Sequence, residues 1–136
     1  MKITTTLLSA LLASSLMGNV TEQSKLASDM RSMLSSIVDM QRAGFYSNKA
    51  GVIDATERLV NSLDSLITAD PKLYLPKDQK NAGQFAKKRE KMIKLYATDL
   101  IASVRAGDVQ EAIEDYSQIL RQCTSCHSRI RNRVWK

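Results

Sequence analysis

Apolar residues recur along this chain at spacings of three and four, in four separate runs, and no stretch alternates as a half-buried strand would. In the first run Leu26, Met30, Met33, Ile37 and Met40 share one stripe, which predicts a helix over about 22–42. The segment Gly44–Asn48 closes it. Val52, Thr56, Leu59, Leu63 and Leu66 repeat the spacing and predict a second helix over about 49–68, widened by Ile53, Val60 and Ile67. Asp70-Pro71 then breaks the pattern, with Asp placed to cap and Pro at a first-turn position. The apolar connection Lys72–Pro76 is expected to pack on the helices it joins.

A third helix is predicted over about 78–106, with Phe85, Met92 and Tyr96 on one seam and Ile93, Leu100 and Val104 on another. Gly107 is placed to end it, and Asp108-x-x-Glu111 is a capping box that opens the fourth. The last seam is the most regular: Val109, Ile113, Tyr116, Leu120, Cys123, His127, Ile130, Val134. Four helices joined by three connections predict an all-α chain, an antiparallel up-down-up-down four-helix bundle.

The chain has 136 residues, one domain's worth. Its start has a different character. Met1-Lys2 is followed by an uncharged apolar and hydroxyl run to Met17, then by polar residues. This layout predicts a signal peptide over 1–20 and a mature domain over 21–136; an uncleaved membrane anchor is the alternative. Net charge is +6. In an exported protein that does not suggest nucleic acid, but an acidic docking partner, a membrane surface or simply solvated faces. The cations cluster at Lys87, Lys88, Arg89, Lys91 and Lys94, and again at Arg129, Arg131, Arg133 and Lys136.

Both cysteines and the single histidine fall in Cys123-Thr124-Ser125-Cys126-His127. C-x-x-C-H is the attachment signature of c-type haem: two thiols add across the porphyrin vinyls and the adjacent imidazole ligates the iron. The seam sets Cys123 and His127 on the inward face, with Cys126 one turn from Cys123. Covalent haem attachment of this kind takes place outside the bacterial cytoplasm, in agreement with the leader, and predicts a periplasmic protein. A zinc site would need about four ligands, and only three Cys or His residues exist. A Cys123–Cys126 disulfide in a haem-free exported module is the rival.

No second histidine is available for the sixth iron position. Methionine thioether is the usual alternative and favours electron transfer. Met30, Met33 and Met40 lie on the first stripe, either as ligand candidates or as adaptable core fillers, and Met92 is a weaker candidate.

The motif on the last of four helices resembles the class II cytochromes c, the cytochrome c′ family. The resemblance spans the whole mature chain. That family often has an aromatic residue and then an arginine after the ligand histidine; here Ile130 replaces the aromatic, while Arg131 holds the arginine position. The family's first-helix spacing of 3 and then 7 matches Met30, Met33 and Met40 and puts the distal position on Met30, with Met33 as second choice. Members with methionine there are low-spin electron carriers, and members with a non-ligand there bind nitric oxide and other small gases through five-coordinate iron. The resemblance therefore implies a monohaem carrier, not an enzyme, that exchanges electrons with redox partner proteins. Its site residues would be Cys123, Cys126, His127 and Met30; Arg131 and Arg121 are either partners of the haem propionates or simply exposed arginines, the ordinary case. Family members often form homodimers through their first two helices, and Leu34 and Val38 would permit one here.

Overall fold

The computed structural model of this chain describes residues 7–130, with side chains from residue 21 onward. Among the described residues every regular element is helical and there is no strand, as the periodicity requires. The elements are α1 (Leu7–Phe45), α2 (Lys49–Asn61), the short α3 (Ser65–Thr68), a 3-10 turn (Pro71–Leu73), α4 (Ala82–Ala106) and α5 (Val109–Ile130). No helix among the described residues is long and apolar enough to cross a membrane.

α1 packs along α2, α2 against α4, and α4 along α5, so that four long helices come together. α1 and α5 make only marginal contact among the described residues. Leu59, Leu63 and Ile119 lie fully buried where the packed pairs meet, each contributing roughly 1.5–3 kcal/mol by removal from water. Leu26, Met33 and Met40 from α1 join the same core, as do Ile93, Ala97 and Leu100 from α4.

The ends of the helices follow local chemistry. Ser47, with φ of 51°, closes α1, and the Asn48 side chain accepts from Gly51 N at 3.0 Å to start α2. Gly107 ends α4 at φ 79°, a left-handed conformation that glycine adopts without steric cost. Asp108 Oδ1 accepts from Glu111 N at 3.0 Å at the entry to α5. Asp70 caps the 3-10 turn through Lys72 N at 3.0 Å. Leu75 is buried and the Tyr74 hydroxyl donates to Leu66 O at 2.9 Å, so the apolar connection does pack on the helices.

Three boundaries differ from expectation. The first helix begins by Leu7 and runs without a break through the expected leader boundary. The second predicted helix is two, because Ser62 takes the C-cap of α2 and turns its hydroxyl back to Arg58 O at 2.9 Å. Ser32 Oγ lies 2.8 Å from Ser62 Oγ and ties this break to α1. The third begins at Ala82 instead of 78, because Asn81 is left-handed at φ 57° and the chain before it cannot continue as helix.

Candidate functional site

The face that α5 turns to the core is displaced from the predicted seam. Asp115, Ile119, Gln122 and Cys126 are its buried residues. Val109 and Ile113, expected inside, are 70% and 55% exposed. The displacement arises because two of the four buried positions are polar, each satisfied from α4. Ser103 Oγ lies 3.0 Å from Asp115 Oδ2, and Arg89 Nη1 donates to Gln122 Oε1 at 2.7 Å. Val109, Ile113 and Tyr116 of the predicted stripe instead line a gap between α5 and α1.

A cavity of about 480 Å³ opens on that side. Met40 and Phe45 of α1 face Val109, Ile113 and Tyr116 of α5 across it, over a floor that includes Leu100. The carboxyl-terminal part of α1 thus shares a wall with the amino-terminal part of α5. None of Cys123, Cys126 and His127 lines this cavity.

The motif stands two turns further along α5. Cys126 is buried, Cys123 is half-buried against the core, and His127 is exposed, so the expected inward placement of His127 is corrected. Both cysteines are free thiols. Thr124 Oγ1 donates to Leu120 O at 3.1 Å and Ser128 Oγ to Ser125 O at 3.0 Å, so these two hydroxyls bond their own helix. Burial, with a smaller contribution from Cys126, pushes the Cys123 thiol up to about 11. Burial also raises Cys126, against the opposing pull of Arg89 and Arg129. Both are therefore neutral thiols near neutral pH. Tyr74 lies close enough to Cys126 to sense it, and burial pushes its hydroxyl up to about 12.

Met30 is half-buried and, like Cys123, packs against the common core; Met33 is a buried member of that core. Arg121 is exposed, and Arg131 lies outside the described residues. The sequence did not connect Arg89 on α4 and Arg129 on α5 with the second thiol, yet both act on Cys126, and both guanidinium groups reach the Phe85 ring. The basic runs at 87–94 and 129–136 held the two arginines, but only the packing of α4 on α5 joins them. Among the described residues no group of three or more His, Cys, Asp or Glu side chains converges on a point that could hold a bare metal ion.

No family model, curated protein or solved structure matches this chain.

Proposed function

We propose that this chain is an exported monohaem c-type cytochrome of the cytochrome c′ kind that carries single electrons between redox partners. In this reading the four helices run up-down-up-down, and Cys123 and Cys126 hold the haem through thioethers. His127 is the proximal ligand and Met30 the distal one. The observation that carries the reading is the donor set on one stretch of α5: two free thiols one turn apart, followed directly by the chain's single imidazole. These residues fit a covalent haem. They do not supply a closed four-ligand Cys/His zinc site, and among the described residues no three His, Cys, Asp or Glu side chains gather at one point.

The register of α1 against α5 supports a methionine as sixth ligand. Met40 and Tyr116 share the cavity wall. Cys123 lies seven residues beyond Tyr116 and Met33 seven before Met40; Cys126 lies ten beyond and Met30 ten before. In an up-down-up-down bundle α1 and α5 are antiparallel and rise equally per residue, which would set both methionines level with the motif. The resemblance to the family selects Met30 between them. Its half-buried position, against the full burial of Met33 in the core, leaves its thioether the freer of the two to turn toward iron.

When bound, the haem supplies a one-electron ferric–ferrous couple. The protein's part would be to anchor it through Cys123 and Cys126 and to hold it with His127 and Met30. The exposed side of α5 around His127 and Arg129 is the surface at which partners would approach, with acidic partners favoured and docking weakened by salt. Export would remove the leader from the amino-terminal end of α1 and leave the capped core elements intact.

The deciding experiment is intact mass plus absorption spectroscopy on protein expressed with haem-attachment machinery. A mature chain heavier by about 616 Da, the mass of one haem added without loss of atoms, is expected, with a low-spin spectrum in both oxidation states. A chain without that mass rejects the proposal. A high-spin spectrum with rapid carbon monoxide binding would convert the carrier into a five-coordinate gas binder.

A further inference from the structure

Arg89 and Arg129 reach the same phenyl ring from two helices: their guanidinium carbons lie 5.1 and 5.2 Å from the Phe85 centroid. Two like charges so placed repel, and a carboxylate between them would be the ordinary remedy. Among the described residues neither has one. Arg89 Nη1 donates to the neutral amide of Gln122 at 2.7 Å, and Arg129 Nη1 donates to that of Gln79 at 3.3 Å. Arg89 Nε is buried without any partner. Amide oxygens satisfy N–H groups but do not cancel charge, so two positive charges remain uncompensated at one place. That place is the second haem anchor. Gln122 precedes Cys126 by one turn of α5 and shares its buried face, and Arg129 follows within one turn.

Building on the cytochrome reading, we infer that the Arg89–Phe85–Arg129 cluster is a fixed positive charge beside the Cys126 thioether that raises the reduction potential of the haem, with Arg89 the stronger contributor. Ferric haem carries one more positive charge than ferrous haem, so a nearby cation disfavours the oxidised form. Arg89 is half-buried, where the effective dielectric is lower and salt screens poorly; Arg129 is exposed, and its share falls as ionic strength rises. Both act on the iron through space and are positioning residues, without ligating it.

The test is a spectroelectrochemical titration of the haem-loaded protein at low and high salt, with intact mass measured on every variant. R89Q should keep one covalent haem and shift the reduction equilibrium toward ferric by roughly tenfold, equivalent to 59 mV for a one-electron couple. R89K, which keeps the charge, should stay near the native potential. R129Q should shift it less, and the difference from native should vanish at high salt. A haem-bearing R89Q with native potential overturns the inference. So does an R89K that shifts as far as R89Q, since shape and not charge would then be at work. If R89Q does not accumulate, R129Q decides alone: a potential that neither R129Q nor salt moves overturns the inference. Native protein without haem mass rejects the cytochrome reading itself, and the mass measurement separates that failure from the others.

Discussion

Ser103 Oγ and Asp115 Oδ2 stand 3.0 Å apart between α4 and α5, with Asp115 only 5% exposed. The same hydroxyl lies 3.0 Å from Asp99 O. It owns one hydrogen and has two acceptors in reach, a conflict that disappears if Asp115 is protonated and donates to Ser103 while Ser103 donates to Asp99. Burial, with Asp99 and Glu114 adding to it, raises the Asp115 carboxyl above its usual range, against the smaller opposing effect of Ser103. A folded state with a raised carboxyl pKa binds its proton more tightly than the unfolded chain. The associated stability is therefore complete below the unfolded value near 3.9 and is lost as pH rises through the folded one. Asp115→Asn, which donates as the protonated acid would, should melt higher than the native protein at pH 7, by about 1 kcal/mol. The gap should close toward pH 4. Thermal melts across that range check it, and a gap that does not vary with pH would refute the protonated pair.

Asp115 and Gln122 also show what the sequence could and could not reveal. The four long helices were legible, because the apolar spacing persists and because Gly107 and Asp108 announce a boundary by their own chemistry. The facing of α5 was not. Reading apolar residues as inward places Ile113 in the core, whereas the core face carries an acid and an amide whose partners, Ser103 and Arg89, lie on another helix. The break at Ser62 was hidden for a similar reason: one partner of its hydroxyl is Ser32, thirty residues earlier. In the candidate site, Cys123, Cys126 and His127 stand out by spacing alone. Arg89 does not, since nothing local distinguishes a guanidinium beside a thiol from one in solvent.

The corrected face of α5 predicts an ordering of stabilities. Ile119 has no exposed surface, so Ile119→Ala should cost about 2–5 kcal/mol through lost burial and a residual cavity. Ile113 edges an open groove, and Ile113→Ala should cost less than about 1 kcal/mol. Denaturant unfolding of the two variants distinguishes them, and the reverse order would restore the predicted seam.

The joint between α4 and α5 is set by two adjacent residues with separate physics. Gly107→Ala would put a side chain at φ 79°, while its Cβ would meet only the flexible end of Lys49 at 3.2 Å. Backbone strain should therefore dominate and cost about 1–2 kcal/mol. Asp108→Ala removes the acceptor for Glu111 N and should cost about 1 kcal/mol. Asp108→Ser, which keeps an acceptor, should recover most of that loss in the same melts. Equal losses for the Ala and Ser variants would show that the cap contributes nothing.

Met30 and Met33 are both candidates for the sixth ligand in the proposed reading, but their surroundings give them different expectations. Met33 is 7% exposed within the core, so Met33→Ala should cost about 2–5 kcal/mol and leave the spin state of the haem-loaded protein unchanged. Met30 is half-buried, so Met30→Ala should cost less stability. It should nevertheless convert low-spin iron to high-spin and open the distal position to carbon monoxide, because no histidine other than His127 exists to replace the thioether. Absorption spectra with and without carbon monoxide, taken beside denaturant melts, separate the two effects. A Met30→Ala protein that stays low-spin while Met33→Ala turns high-spin would transfer the ligand to Met33.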